Sequence, residues 1–495
     1  MTYQEKLVDE AMIDRLELKY PGAKAKVSKT SKYFKRNAIA SILGTDRKIY
    51  ELIKNTEEIK CDNLTYLDEL VILFRKYVEV ADVEKKTLGE VMTPITLVEE
   101  MLDTLPSDVW SNPNLKWLDP CAGVGTFPSI VVQRLMKGLE KFEKNPIKRY
   151  RHIIEEMMYV CELQPKNLFV YHCVFDKDDT NELNTYCGSF LDEKFDKHMS
   201  DVWGVEKFDI IIGNPPYQEN SDSGRSKGGG KGGDNNLWSK FVLKCLDICD
   251  VLCFIHPPSF LSPSHNVLKS FNDKGGISYL KVFDKSPFEN ASTQACYYIW
   301  ERGFNNDTKL EGNYTINLKN KFIPNSSNYI DYSIFYKFFS EVNVFSFVRT
   351  CSLHTQKNKS FITKEQTEDN THKFLSGSKI FYTSKQSDFH NDKKVIVSRS
   401  GYLNPQYNDG DMSVSESNFC CIVKSKSVGD SIIKLLNTKL YKYILNKSKF
   451  SGFFHGDVLK NIPQVPFDRE WTDEELYKYF KLSQEEINLI ESQTK

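Results

Sequence analysis

A short apolar run that ends in two consecutive prolines constrains the fold of this chain most strongly. Residues 209–217 read Asp-Ile-Ile-Ile-Gly-Asn-Pro-Pro-Tyr. The isoleucines predict a buried strand, and this strand must end at Pro215 and Pro216, because proline fixes φ and donates no backbone hydrogen bond. The residue before a proline is held extended, which places Asn214 at the strand tip. The turn presents a side-chain amide, two carbonyls and an aromatic ring, a combination that suits a planar ligand with an amino group.

A glycine-rich turn follows an earlier apolar strand. Residues 116–128 read Lys-Trp-Leu-Asp-Pro-Cys-Ala-Gly-Val-Gly-Thr-Phe-Pro, and a helical stretch comes next. Gly123 and Gly125 allow the backbone to turn tightly and to approach a ligand closely. The helix N-terminus offers amides to a carboxylate. A dinucleotide-binding fingerprint would need a third glycine at position 128, where this chain has proline, so nicotinamide binding is disfavoured.

Both phrases resemble motifs of one enzyme family. Asn214 to Tyr217 resemble motif IV of the amino-methyltransferases, whose best-known members methylate N6 of adenine in DNA. The glycine phrase resembles motif I of S-adenosylmethionine-dependent methyltransferases, and Thr93-Pro94 before an amphipathic helix resembles motif X. Along this chain the cofactor motifs come first, the catalytic strand follows, and a distinct C-terminal region comes last. This order resembles that of the γ-class DNA adenine methyltransferases of type II and IIG. The resemblance covers residues 88–302.

The resemblance implies a role for each matched position. Asn214 and the carbonyl of Pro215 are expected to accept hydrogen bonds from the target amino group, with Pro216 completing the turn. Tyr217 is expected to stack on a flipped adenine, with Phe288 on its other face; simple core packing is the alternative for Phe288. An ordinary strand exit is the alternative for the whole turn. The implied contacts with S-adenosylmethionine are Thr93, Pro94, Asp119, Gly123, Gly125, Thr126, Phe127, Glu162, Ser189 and Phe190.

Two of these positions, Glu162 and Ser189, depart from the usual pattern. Glu162 ends a predicted strand and is expected to bind the ribose hydroxyls, although its distance from the glycine turn exceeds the typical spacing of about 20 residues. A solvated strand end is the alternative. Relatives often carry an acidic residue where Ser189 stands, so Ser189 or Asp192 would have to bind the adenine amino group, with Phe190 stacking beside it.

The Thr93-Pro94 turn and the later strands give further expectations. Proline suits the first helical position and threonine the cap before it, so Thr93 is expected to cap the motif X helix. Val282 is expected to open a strand, and residues 294–300 are expected to form the strand that closes the sheet.

Bulk properties narrow the class of protein. A net charge of −1 on 495 residues gives no global nucleic-acid footprint, so DNA binding must rest on local patches. A polar start and no apolar run of about 18 residues predict a cytoplasmic protein without a membrane span. Cys245, Cys249 and Cys253 repeat every fourth residue; we expect the first two on a helix and the third in the next strand, packed in the core. No metal site is expected.

Two basic segments are open to two interpretations. The stretch from Lys24 to Lys54 is a solvated face or a contact with the DNA backbone. The loop at residues 221–236, rich in glycine, is a flexible connector or a cover over bound nucleic acid. In the C-terminal region, aromatic residues are mixed with Arg399, Lys424, Lys447 and Lys449, which is compatible with a DNA-facing groove or with an ordinary core.

The sequence predicts an α/β protein with a helical region (1–87), a Rossmann-like class I methyltransferase domain (88–302) and an α+β target-recognition domain (303–495). The expected function is site-specific methylation of adenine N6 in double-stranded DNA, in restriction–modification or phage defence, with a separate endonuclease or specificity subunit left open as partner. The alternatives are a type I-like modification subunit, an RNA adenine methyltransferase and a protein glutamine N-methyltransferase. The recognised sequence is not indicated; candidates for base contact are Gln356, Lys357, Lys359, Arg399 and His455.

Overall fold

The computed structural model describes most of the chain after residue 91. The described residues are 92–176, 181–217, 236–262, 265–288, 293–350, 352–355, 359–386, 388–399, 403–450, 453–454, 456–466 and 470–494. The helical region predicted at 1–87, nearly all of the loop at 221–236, Gln356, Lys357, His455 and the side chain of Lys359 lie outside them. The chain divides into two compact units, one within residues 1–257 and 266–308, the other within 258–265 and 309–495.

The first unit is built on a mixed β-sheet. Its main strands are β1 (Trp117–Asp119), β2 (Met158–Glu162), β3 (Asn184–Cys187), β4 (Phe208–Gly213), β5 (Cys249–His256), β6 (Gly275–Val282) and β7 (Cys296–Arg302). They lie in the order β3-β2-β1-β4-β5-β7-β6. Strands β1 to β5 are parallel, and every residue of β1, β2 and β3 is buried, as expected where helices cover both faces. The predicted α/β class is confirmed.

Two expectations about this sheet were wrong. Val282 ends β6 rather than opening a strand. The strand expected to close the sheet, β7, lies instead between β5 and β6 and is antiparallel to both. An apolar run signals that a strand exists, but the pattern contains no information about which strands will be its neighbours.

Seven α-helices accompany this sheet in the described part of the first unit. They are α1 (Ile95–Asp103), α2 (Thr126–Gly138), α3 (Pro146–His152), α4 (Pro165–Phe175), α5 (Glu193–Asp201), α6 (Leu237–Ile248) and α7 (Asn266–Lys274). A π-helical turn, Ile153–Met157, joins α3 to β2. Cys245 lies on α6 as expected, but Cys249 opens β5 instead of continuing the helix; both thiols and Cys253 are buried.

Helix α1 packs on the sheet through apolar and polar contacts. Val98, Met101 and Leu102 are fully buried in the core of this unit. Glu100, on the same helix, accepts hydrogen bonds from the Lys281 ammonium at 2.8 Å and from the Tyr297 hydroxyl at 2.9 Å. Because Lys281 lies on β6 and Tyr297 on β7, these bonds fix the start of the described chain against strands nearly 200 residues later.

The second unit combines two four-stranded sheets and one two-stranded sheet with helices. The strands after β7 are β8 (Thr308–Lys309, at the boundary), β9 (Thr315–Ile316), β10 (Phe347–Val348), β11 (Ile362–Thr363), β12 (His372–Ser376), β13 (Lys379–Thr383), β14 (Lys394–Ser398), β15 (Gln406–Asn408), β16 (Ser413–Val414), β17 (Asn418–Ile422), β18 (Lys449–Phe450) and β19 (Phe453–Phe454). One four-stranded sheet has the order β10-β17-β14-β15, the other has the order β11-β13-β12-β16, and β18 pairs with β19. The helices of this unit are α8 (Tyr329–Phe339), α9 (Lys426–Leu436), α10 (Lys439–Lys447), α11 (Gly456–Lys460), α12 (Asp473–Tyr479) and α13 (Gln484–Gln493).

Buried polar groups connect the elements of this unit. The Asn418 amide accepts from the Gly377 N–H at 2.8 Å and donates to the Gly377 carbonyl at 2.9 Å, which ties the β12–β13 turn to β17. The fully buried Lys394 ammonium donates to the carbonyls of His390 and Asp392 and to the Asn408 amide. Across the described ranges, no helix is long and apolar enough to cross a membrane, and no group of three metal-ligating side chains is found.

Candidate active site

The proline turn lies beside the glycine turn because β4 and β1 are parallel neighbours. The two strands pair at Trp117 with Ile210 and at Leu118 with Ile211. At the tip, a Cβ on Gly213 would lie 3.0 Å from the Asp119 carboxylate and 3.5 Å from the Cys121 sulfur. Glycine therefore lets the end of β4 approach the turn that follows β1, and Asn214 is the next residue.

The amide of Asn214 is attached to the residue before Pro94. Asn214 Nδ2 donates a hydrogen bond to the Thr93 hydroxyl at 3.1 Å. Thr93 is buried, and its backbone precedes α1. The expectation that Thr93 caps this helix was wrong: Pro94 is the N-cap, and its carbonyl accepts from Leu97 N and Val98 N. The threonine hydroxyl contacts the proline turn instead.

The two glycines of the turn after β1 have different surroundings. Gly123 has φ +56°, and no heavy atom of the described residues lies within 4 Å of the position a Cβ would take. Gly125 has φ +95°, and a Cβ there would lie 2.7 Å from the Phe175 ring and 2.8 Å from the Tyr171 ring. Gly125 is therefore required by packing against α4, whereas Gly123 borders open space of the kind a ligand needs.

Glu162 fixes the glycine turn to the end of β2. One carboxylate oxygen accepts from Gly123 N at 2.8 Å, and the other accepts from Gln164 N at 2.6 Å. The same side chain is buried. Glu162 thus lies at the tip of the strand next to β1, where the residue that binds the cofactor ribose is expected. Its role in ribose binding stays a prediction.

Asp119 is a buried carboxyl group close to this glutamate. Its pKa is raised from the ordinary 3.8 to about 8, mainly by burial; the hydrogen bond from the Cys121 N–H at 3.0 Å lowers the pKa, and the nearby Glu162 raises it. Burial, followed by the charges of Asp119 and Glu162, also raises the pKa of the Cys121 thiol. The buried end of the site, around Asp119 and Cys121, therefore disfavours additional negative charge.

Comparison with known proteins decides the family of this site. Residues 118–287, which run from β1 past the proline turn, match the family model described as Eco57I restriction-modification methylase. Residues 118–287 form a domain of the Eco57I restriction-modification methylase type. The resemblance predicted from the sequence, to adenine methyltransferases of restriction–modification systems, is confirmed.

Relatives of this methylase domain share limited identity with the chain. An uncharacterized adenine-specific methylase of Mycoplasma pneumoniae is 28% identical over 361 residues, covering 57% of this chain and 84% of the relative. Modification methylase CviBIII of Paramecium bursaria Chlorella virus NC1A is 24% identical over 229 residues, which are 44% of this chain and only 50% of the relative. A nuclease-deletion mutant of the type ISP restriction-modification enzyme LlaGI, solved with a DNA substrate mimic, has a similar fold: TM-score 0.54, 11% identity, 98% of this chain and 63% of that one.

Tyr217 and Phe288 meet at the edge of the methylase core. Their ring centroids are 6.4 Å apart and the ring planes cross at 69°, so the rings touch edge to face. Phe288 is buried in the core cluster against which Tyr217 packs. Burial raises the pKa of Tyr217 well above its usual value, with smaller contributions from Cys296 and Cys121. The two predicted stacking residues therefore lie close together, but their ring planes are not parallel, so in this arrangement they do not form a slot for a base.

The residues predicted around the cofactor adenine are less open. Phe190 is 1% exposed and lies in an aromatic cluster with Phe195 at 4.9 Å and Phe241 at 5.2 Å. The Ser189 hydroxyl accepts from Leu191 N at 3.2 Å. Phe190 would have to leave its cluster to stack on a ligand, so both roles stay predictions. Thr126 and Phe127 open α2 and are buried, which leaves their backbone amides as the groups available to a ligand.

The sequence-based predictions did not include the aromatic pair that packs against the glycine turn. Tyr171 and Phe175 stack on each other with centroids 4.3 Å apart and press against the position of Gly125. The available signal was a helix of apolar and aromatic residues directly after Glu162, at residues 165–175. The Asn214–Thr93 bond was also missed, because nothing local in the sequence pairs positions 121 residues apart.

Proposed function

We propose that this protein transfers a methyl group from S-adenosylmethionine to N6 of adenine at specific sites in double-stranded DNA. The observation that carries the proposal is the position of Asn214: it lies at the tip of β4, beside the glycine turn, with its amide nitrogen bonded to Thr93. The matching family model and the adenine-specific methylase relative support the choice of adenine.

The residues present fit the cofactor. The open space at Gly123, the carboxylate of Glu162 at the strand tip and the amides that begin α2 provide a cradle for a ligand with a ribose and a carboxylate. S-adenosylmethionine would supply an electrophilic methyl group on a sulfonium. Burial raises the pKa of Asp119 and so favours the protonated, neutral form of this one carboxyl group.

The proline turn would act on the target by hydrogen bonding. The Asn214 amide oxygen and the Pro215 carbonyl would accept the two N–H bonds of the adenine amino group. Acceptance of both protons localises the nitrogen lone pair and orients it for in-line attack. Since the amino group is committed to base pairing in duplex DNA, the adenine must first be flipped out of the helix, with Tyr217 stacking on it and Phe288 as the candidate for the other face.

Recognition of a DNA sequence is assigned to the second unit. Base readout requires side chains at base edges, whereas phosphate contacts set position only. The β12–β13 hairpin supports this assignment, because Lys373, Lys379 and Ile380 are exposed on it. Lys447, a candidate for the DNA-facing groove, instead forms an ion pair with the buried Asp331 at 3.0 Å. A separate endonuclease or a specificity subunit remains compatible with this scheme.

The decisive experiment measures tritium transfer from labelled cofactor to purified DNA, RNA and protein pools. We expect DNA to be labelled by the wild-type chain and not by Asn214→Ala, which should still bind cofactor. Asn488→Ala, a surface asparagine on α13, is the matched control and should behave as wild type. Label confined to RNA or protein, or full activity in Asn214→Ala, would overturn the proposal.

A further inference from the structure

The hydrogen bond between Thr93 and Asn214 joins two motifs that the sequence treats as separate. Thr93 belongs to the turn expected to hold the cofactor, and Asn214 belongs to the turn expected to hold the target base. The donor is Asn214 Nδ2 and the acceptor is the Thr93 hydroxyl, 3.1 Å apart. Thr93 is 5% exposed, so water competes little for this bond.

The direction of this bond matters for the chemistry. A primary amide has a donor group, the NH₂, and an acceptor group, the oxygen, which point in different directions from the Cγ atom. When Nδ2 points to Thr93, Oδ1 points away from Thr93. Methyl transfer to an amino group requires the oxygen, not the nitrogen, to face the target, because only the oxygen can accept its N–H bond.

The hydroxyl is held by a rigid support. Threonine is branched at Cβ and has few χ1 rotamers, and Pro94 restricts the backbone of Thr93. Helix α1, which follows, is fixed to β6 and β7 by the bonds of Glu100 with Lys281 and Tyr297. Its residue Ile95 packs against the same core cluster as Tyr217. The proline turn therefore meets a hydroxyl whose position is set by the rest of the domain.

We propose that Thr93 is a positioning residue for Asn214: its hydroxyl sets the amide orientation that presents Oδ1 to the target amino group. This inference rests on the proposed function. It differs from the cofactor contact that the resemblance to motif X implies for Thr93, because the partner assigned here is a protein side chain.

The test compares Thr93→Val, which keeps shape and removes the hydroxyl, with Thr93→Ser, which keeps the hydroxyl. With saturating cofactor and DNA, kcat of Thr93→Val should fall by about 10-fold to 100-fold, while the cofactor Kd changes by less than about 3-fold. Thr93→Ser should recover most of kcat. If Thr93→Val instead weakens cofactor binding and saturating cofactor restores kcat, Thr93 serves the cofactor only and the inference is wrong.

Two further measurements separate positioning from other failures. Non-additivity is expected in a cycle with Asn214→Asp, because a carboxylate has no donor end to orient; equal effects of Thr93→Val in both backgrounds would contradict the inference. A crystal structure of Thr93→Val should show a rotated Asn214 amide, and an unchanged amide would also count against it. The crystal structure tests the amide orientation even if the wild-type protein labels no DNA. Absence of labelling would refute the proposed function, not the contact between Thr93 and Asn214.

Discussion

At the scale of single residues, the two glycines of the cofactor turn should respond differently to the same substitution. Gly125→Ala places a methyl group against the Tyr171 and Phe175 rings at a φ of +95°, so we expect a loss of about 2–5 kcal/mol in the free energy of unfolding. Gly123→Ala meets no described atom and should lose only about 1–2 kcal/mol, the left-handed backbone penalty. Urea denaturation would measure both.

Cofactor binding should separate the same two variants further. In Gly123→Ala the new methyl group enters the open space next to Glu162, so calorimetry should show cofactor affinity reduced by at least about 10-fold in a folded protein. Gly204→Ala, at φ +63° with no described heavy atom within 4 Å and far in sequence from the turn, is the matched control and should bind cofactor normally. Normal binding by Gly123→Ala would show that the open space is not the cofactor site.

Asp119 should make stability depend on pH. Its folded-state pKa of about 8 lies above the ordinary 3.8, so between these values the folded protein holds a proton that the unfolded chain has lost. The contribution of Asp119 to stability should therefore be largest at low pH and fall as pH rises toward 8, by up to about 1.4 kcal/mol per pH unit. Asp119→Asn mimics the protonated form and should flatten this dependence; the exposed Asp108→Asn should not. Denaturation at pH 5 and pH 7.5 measures the difference, and parallel curves for wild type and Asp119→Asn would contradict it.

At the scale of elements, a buried carboxylate joins α8 to α10 in the second unit. Asp331 is fully buried, accepts a hydrogen bond from the Tyr443 hydroxyl and pairs with Lys447 at 3.0 Å. Burial, and then this carboxylate, raise the pKa of Tyr443. Asp331→Ala would leave a buried phenol and a partly buried cation without this partner, so we expect a loss of about 3–5 kcal/mol in unfolding free energy.

The measurement for Asp331 is the denaturation midpoint of the full chain. Asp331→Asn keeps an acceptor for Tyr443 and should lose less than Asp331→Ala. Asp430→Ala is a matched control, because this aspartate forms an exposed pair with Lys426 on α9 and should change stability by less than about 1 kcal/mol. Equal losses in the Asp331 and Asp430 variants would mean that the buried contact contributes no more than a surface pair.

Element order was predictable where the signal is local. The runs ending at Asp119, Glu162 and Asn214 combine an apolar strand with glycine or proline punctuation, and each forms the predicted strand end. Neighbours in space were not predictable in the same way. The insertion of β7 between β5 and β6 and the bond from Thr93 to Asn214 depend on residues far apart in the chain, and single-sequence patterns report only local periodicity.

At the scale of the whole molecule, the chain does not pass through its two units in simple succession. Residues 258–265 belong to the second unit, although they lie between β5 and α7 of the first. Phe260 and Leu261 in this segment are fully buried. The sequence predicted a division at residue 302 from a change in composition. Composition cannot reveal that a short segment inside the first unit belongs to the second. The domain limits and the recognition role of residues 303–495 stay predictions.

Removal of the second unit should separate cofactor binding from sequence recognition. A fragment ending at Thr308 keeps β1 to β7 and the glycine turn, so we expect cofactor affinity within about 3-fold of the full chain by calorimetry. Phe260 and Leu261 are buried in the full chain and belong to the segment grouped with the second unit, so their replacement by serine should reduce aggregation of the fragment. Long-read sequencing of DNA from a methylation-free host should show a defined modified motif with the full chain, none with full-length Asn214→Ala, and none with the fragment. If the fragment marks the same motif, recognition resides outside residues 309–495, and the assignment of base readout to the second unit is wrong.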